Sequence, residues 1–177
     1  MELHGPRVYL RPLSDEETDL ILRWRSDPAV AAHLFSERPP SRAEHEAFLK
    51  HLHATSDRFE FAIVLNDGTP VGTVGLSGID RKSGDAEYGI LIGDENARGK
   101  GVAREASELI LDHAFRALGL HRVILNVFAD NDAAIALYRR LGFRIDAAGC
   151  TMKERDGVSR QVLRMIIECS EGAAASS

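Results

Sequence analysis

The stretch from Asp85 to Gly119 constrains this chain more than any other. "DAEYGILIG" is an apolar run of the kind found in an interior strand of a sheet. "NARGKGVARE" follows, with Gly99 and Gly101 set among Arg98, Lys100 and Arg104. From about Gly101 to Leu118 the apolar Val102, Ala106, Leu109 and Ile110 share one face at helical spacing, and Gly119 supplies a stop. A strand that runs through glycines and cations into a helix start offers backbone N–H groups and the helix dipole to an anion. This pattern predicts an interior strand, and the loop after it suggests a phosphate-bearing ligand.

On either side the pattern changes to hairpins. "FEFAIVL" and "PVGTVGLSGI" are strands joined by "NDGT", where Asp67-Gly68 supplies the positive φ of a tight turn. Upstream, "VYLRPL" is a first strand stopped by Pro12. "SDEETDLILRWRSDP" is a helix with a capping residue, an acidic first turn and a stop before Pro28. Ser41 and Glu44 have capping-box spacing for a second helix. Downstream, "HRVILNVF" is a strand, "NDAAIALYRRLGF" a capped helix, and "FRIDAAGCTMK" with "RQVLRMIIE" a closing hairpin about "ERDGVS". This order predicts a single α+β domain over residues 1–170, in α/β/α layers. Its mixed, mostly antiparallel sheet has about 7 strands, with about 4 helices on the two faces. The small-residue end, residues 171–177, is expected to be a disordered tail.

The 177 residues carry a net charge of −5. That argues against nucleic acid as the partner, because neutralising phosphates needs a surplus of Lys and Arg, and it favours cationic partners instead. No apolar run approaches the roughly 20 residues of a membrane span, and the first residues have no apolar run long enough for a secretion signal. A cytoplasmic protein with no membrane partner is expected, with Cys150 and Cys169 as reduced thiols filling the core. No cluster of His, Cys, Asp and Glu has metal-ligand spacing, and no metal is expected.

Three anion devices fit a glycine loop. A nucleotide-triphosphate loop needs Ser or Thr after its Lys, where this chain has Gly101. A dinucleotide fingerprint needs a third glycine where Arg104 stands, and that side chain prevents close packing of helix on strand. The remaining device is a cradle for a diphosphate, made by the N–H groups of Arg98, Gly99, Lys100, Gly101, Val102 and Ala103. A plain strand-to-helix turn with a solvated basic rim is the bland alternative.

"ARGKGVAREA" resembles the acyl-CoA loop of the GNAT superfamily of N-acetyltransferases, whose Q/R-x-x-G-x-G/A pattern is met by Arg98, Gly101 and Ala103. The superfamily's second signature, an Asn followed by a Tyr and then Gly-Phe, is matched by Asn131, Tyr138 and Gly142-Phe143. The opening "LRPLSDEETDLILRWRSDP" is similar to the subgroup of ribosomal-protein N-terminal, polyamine, amino-sugar and aminoglycoside acetyltransferases. The resemblance implies acetyl transfer from acetyl-CoA, a co-substrate, to a primary amine by direct attack in a ternary complex. It implies that Tyr138 protonates the leaving thiolate and that Asn131, besides capping its helix, touches the pantetheine arm. Backbone groups of Ile90, Leu91 and Ile92 would pair with that arm, and one N–H would face the thioester oxygen.

Some relatives carry a Glu as general base where this chain has Asn126, which cannot take a proton at neutral pH. Glu87 is the best remaining carboxylate, acting through water, with Glu60, Asp85 and His33 in reserve. Trp24, His33 and Phe35 are plausible walls of the acceptor pocket, with core packing the more ordinary role for Trp24. The acceptor itself is not legible, and a homodimer is compatible with this reading. A non-catalytic acyl-CoA-binding or sensing module is the rival from another class, and a nucleotide-binding protein a remote third.

Overall fold

The computed structural model describes residues 1–170. The chain opens with β1 (Leu3–His4) and β2 (Val8–Pro12), then a 3-10 turn into α1 (Thr18–Ser26). Ser14 and Glu17 form a capping box at that entry. The short α2 (Pro28–Ala31) follows, with Asp27 as its cap and Pro28 in its first turn, so the proline that stops one helix begins the next. The predicted capping box at Ser41 and Glu44 starts α3 (Arg42–Ala54). Then come β3 (Phe59–Leu65), β4 (Pro70–Asp80) and β5 (Asp85–Ile92), joined by tight turns, with Gly68 at φ +90° as its turn requires.

After the glycine loop, α4 (Val102–Asp112) continues as a π-helical turn, His113–Ala117, and stops at Gly119. β6 (Arg122–Phe128), α5 (Asp132–Leu141), β7 (Arg144–Ile145), β8 (Thr151–Arg155) and β9 (Val158–Glu168) complete the chain. The 9-stranded sheet runs β1-β2-β3-β4-β5-β6-β9-β7, with β8 also on β9. Only the β5–β6 contact is parallel among the described pairs. The two strands beyond the expected number are the two-residue β1 and β7, too short to show a period-2 pattern. The predicted strand across Arg144 to Lys153 is broken by a 3-10 turn at Ala147–Gly149, so β7 and β8 are separate partners of β9.

Side-chain alternation divides the sheet into two faces. On one, Phe61, Ile63, Val74, Leu76, Tyr88, Val123 and Leu125 pack with Val102, Ala106 and Ile110 of α4. On the other, Ala62, Val64 and Leu91 pack with Ile21 and Trp24 of α1 and with Leu49 and Leu52 of α3. Trp24 is a core residue, seated so closely that a Cβ at Gly93 would collide with its ring. Cys150 and Cys169 are free and half-buried, not the core filler expected, because both lie at strand margins outside the packed faces. The expected tail lies outside the described residues.

One irregularity prepares the site. β5 and β6 pair only from Asp85↔Arg122 to Glu87↔Ile124, although both strands continue. Beyond Glu87 the edge of β5 parts from β6 and leaves a wedge between the two strands.

Candidate functional site

A cleft of about 780 Å³ lies on the α4 face of this wedge. Its walls are the ends of β5, the glycine loop and first turn of α4, and the start of α5. Of the residues expected to hold a cofactor, Ile90, Ile92, Arg98, Gly99, Gly101, Val102, Ala103, Asn131 and Tyr138 line it. Leu91 does not, since its side chain alternates to the opposite face and packs against the Trp24 cluster. Lys100 is exposed outside the cleft wall, and its carbonyl accepts from Arg7 Nη1 at 3.2 Å.

The loop is built for a close backbone approach. Gly99 and Gly101 have φ of +70° and +79°, a region that side chains disfavour. Gly101 caps α4 without a side chain, leaving the N–H groups of the first turn facing the cleft. Ser107, one turn into α4, donates to Ala103 O at 2.6 Å and shares a 2.6 Å hydrogen bond with buried Tyr88 Oη. That chain ties the loop's C-terminal end to β5. Arg98 turns back on β5, with contacts of 3.4 Å to the carbonyls of Ile92 and Gly93, so part of its charge is held by protein.

Sequence reasoning missed Arg7. It lines the cleft from the N-terminal segment, and its Nη1 would lie 2.5 Å from a Cβ placed on Gly101. Glu105 of α4 holds that segment by accepting from the backbone N–H groups of Arg7 and Val8 at 2.7 and 3.0 Å. No local pattern marks Arg7, because its partners lie more than 90 residues away. Arg104, Arg140 and Leu137 also line the cleft.

Tyr138 projects from α5 into this cleft and packs edge-on to Tyr88 and Phe143, at 6.0 and 5.9 Å between ring centroids. Burial alone pushes its hydroxyl up to about 12, so it is held protonated at neutral pH. Tyr88, in contrast, has its hydroxyl engaged by Ser107. Asn131 caps α5 through Ala134 N at 3.3 Å while also facing the cleft, so the two roles expected of it are compatible.

On the opposite face of the sheet, a trough without side chains follows from the register. Gly75 pairs with Glu60 on one side and with Gly89 on the other, which places a row without side chains across β4 and β5. A Cβ at Gly89 would meet nothing within 4 Å. Glu87, on the same face two residues before Gly89, is exposed and accepts from Asn126 Nδ2 at 3.4 Å, in a separate small cavity with Asp85 and Arg164. Asp85 is held by Arg122 through bonds of 3.1 and 2.7 Å, which keep its carboxyl below the usual range and remove it as a base.

His33 is exposed, and Phe35 stacks on Phe128 at 4.7 Å. The segment that carries them is clamped from the β8–β9 hairpin. Arg155 donates to the carbonyls of Leu34 and Ala31, and Arg160 donates to Ala32 O at 2.9 Å while lying 3.7 Å over the Phe128 ring. Among the described residues no three His, Cys, Asp or Glu side chains are grouped as a metal site. No described helix is long and apolar enough to cross a membrane.

Comparison with known proteins agrees with this geometry. Residues 7–144 match the acetyltransferase (GNAT) domain family. The chain is 34% identical over 163 residues to the spermidine N(1)-acetyltransferase of Escherichia coli, covering 90% of this chain and 85% of that one. It is 30% identical over 147 residues to an uncharacterized N-acetyltransferase, p20, of Bacillus licheniformis, covering 80% and 82%. The spermidine N-acetyltransferase of Vibrio cholerae, solved with CoA and spermine, superposes with a TM-score of 0.84 at 28% identity, over 93% of this chain and 96% of that one. A dodecameric structure of the Vibrio enzyme superposes with a TM-score of 0.80 at 25% identity, over 98% and 100%. With a parted β5, a left-handed glycine loop and both signatures facing one cleft, the chain belongs to the GNAT family and is an acetyl-CoA-dependent N-acetyltransferase.

Proposed function

We propose that this enzyme acetylates a primary amine on a slender, cationic, aliphatic acceptor of the polyamine class. The observation that carries the reading is the trough through Gly75 and Gly89. Its floor is bare backbone, and Glu60 and Glu87 flank it on the face opposite the cofactor cleft. The similarity to spermidine N-acetyltransferases supports the same class.

In this reading the diphosphate of acetyl-CoA lies on the N–H groups from Arg98 to Ala103, with Arg7 adding charge beside Gly101. The pantetheine arm pairs with the free edge of β5 at Ile90 to Ile92, its thioester reaching the wedge. Asn131 contacts the arm. The acceptor enters over Gly89, and Glu87, exposed on the same face, attracts its ammonium end. The deprotonated amine attacks the thioester carbon, the C–S bond breaks, and Tyr138 protonates the departing thiolate. A thiol is already a fair leaving group at a pKa near ~8.5, so the donor needs position more than acidity.

Assembly into a homo-oligomer, a dimer at least, and residence in the cytoplasm, where its two free thiols stay reduced, belong to the same proposal. The test is steady-state release of free thiol from acetyl-CoA over a panel of polyamines, aminoglycosides, amino sugars and N-terminal peptides. Turnover confined to aminoglycosides or peptides refutes the acceptor class. Tight CoA binding with no turnover on any amine would make the chain a sensing module.

A further inference from the structure

The trough ends at a carboxylate that the family signatures do not point to. Glu60 of β3 shares the α1–α3 face with Ala62 and Val64, directly opposite Gly75. Its carboxylate folds over the sheet toward β4, where a Cβ at Gly75 would collide with Oε2. The next residue in the row is Gly89 at the parted edge of β5. Strands lie about 4.8 Å apart, so the carboxylate over Gly75 is about one strand spacing from Gly89 and the wedge beyond it. That distance is one that one or two bridging waters can span.

The surroundings of Glu60 leave the group available. It borders a cavity of about 340 Å³ with Arg25 and Ile21 of α1, His45 and Phe48 of α3, Arg58 just before β3 and Thr73 of β4. Arg58 and Arg25 act on it through charge alone, without a hydrogen bond, and burial outweighs both, raising its carboxyl to about 7. Arg25 donates instead to Ser36 Oγ at 3.1 Å, and its Nε is buried without a partner. His45 is buried with Nε2 unpartnered, and burial followed by the charge of Arg25 lowers its pKa, so it stays neutral. Glu44, also on this wall, is paired to Arg38 by bonds of 2.8 and 2.6 Å. Among the carboxylates of this face, Asp85 is held by Arg122 and Glu87 is open to solvent.

We infer that Glu60 is the proton acceptor of the reaction, receiving the ammonium proton of the bound acceptor through water held over Gly75 and Gly89. The ammonium loses one proton to the Glu60 carboxylate, which becomes the neutral acid. The freed lone pair forms the C–N bond, the C–S bond breaks, and the thiolate takes the Tyr138 proton. The acylated nitrogen sheds its second proton, which restores Tyr138, and Glu60 returns its proton to solvent, so one proton leaves per turnover. Glu87 then serves to attract the cation. At Gly75 a Cβ would collide with the Glu60 carboxylate and lie 2.6 Å from the Phe59 carbonyl, so glycine makes room for both the side chain and the β3 backbone.

This inference rests on the acetyl-transfer reading, and the experiment separates the two. Turnover with the best amine of the panel is followed from pH 5.5 to 9.5 in the wild type, Glu60→Gln, Gly75→Ala and Glu87→Gln, with CoA affinity measured on each. In the wild type kcat rises to a plateau above about pH 7. Glu60→Gln and Gly75→Ala lose about 100-fold in kcat at pH 7, keep their CoA affinity, and climb without a plateau toward the pKa of the free amine. Glu87→Gln keeps the neutral inflection and raises KM for a cationic acceptor. A neutral inflection that survives in Glu60→Gln, or that vanishes in Glu87→Gln, overturns the assignment. Absence of turnover on every amine overturns it together with the functional reading.

Discussion

Replacing Glu60 by Gln should make the protein more stable as the pH rises, although it removes the proposed proton acceptor. The carboxyl has an ordinary value of 4.5 and is raised to about 7 in the folded chain, chiefly by burial. A raised acid binds its proton more tightly when folded. Its contribution is therefore fully present below pH 4.5 and is lost as the pH climbs through the folded value near 7. The difference of about 2.5 units amounts to roughly 3 kcal/mol, at 1.36 kcal/mol per unit. Gln does not titrate, so the advantage of Glu60→Gln should be near zero at pH 4.5, grow through pH 5 and 6, and level off above pH 7. In a domain of this size 1 kcal/mol shifts Tm by about 2–4 °C, so the variant should melt several degrees higher at pH 8. Urea unfolding of both proteins at half-unit pH steps measures the curve. A constant difference between the two across pH 4.5 to 8, or a variant less stable at pH 8 than at pH 5 relative to wild type, would refute the reasoning.

Other substitutions test the cofactor cleft and the clamp. Gly101→Glu forces a side chain into a left-handed position 2.5 Å from Arg7 Nη1 and sets an anion against the diphosphate. Like charge in such a site costs several kcal/mol, so calorimetry should show CoA affinity down about 100-fold or more. Tyr138→Phe should leave CoA affinity intact while lowering kcat about 100-fold, as expected for loss of a positioned acid; unchanged turnover would return Tyr138 to a packing role. Arg155→Ala removes the donors to Leu34 O and Ala31 O, and thermal unfolding should show a loss of about 2–3 kcal/mol, with KM for the acceptor raised more than kcat is lowered.

Much of the fold was legible because it rests on short-range signals. Ser41 with Glu44, Asn131 before Ala134, Gly68 in its turn and Gly119 after α4 each act within four residues, and each appears where its local chemistry places it. β1 and β7 were not legible, since two residues carry no periodicity and exist only because β2 and β9 offer edges. Gly101, Ala103, Asn131 and Tyr138 were singled out by resemblance to the family's two signatures, and the fold brings them to one cleft. The Leu91 side chain turns to the other face, as alternation requires, which leaves the expectation for its backbone groups untouched.

What the sequence alone determined is the donor side. A diphosphate cradle is made from consecutive backbone N–H groups and a helix start, and consecutive residues are what a sequence displays. Only the tertiary structure brought Arg7 beside Gly101, opened the wedge beyond Glu87, and laid Glu60, Gly75 and Gly89 in one row. Strand register decides those neighbours, and register depends on how four separate segments pair. A shift of one residue would turn Glu60 into the apolar core and close the trough with side chains.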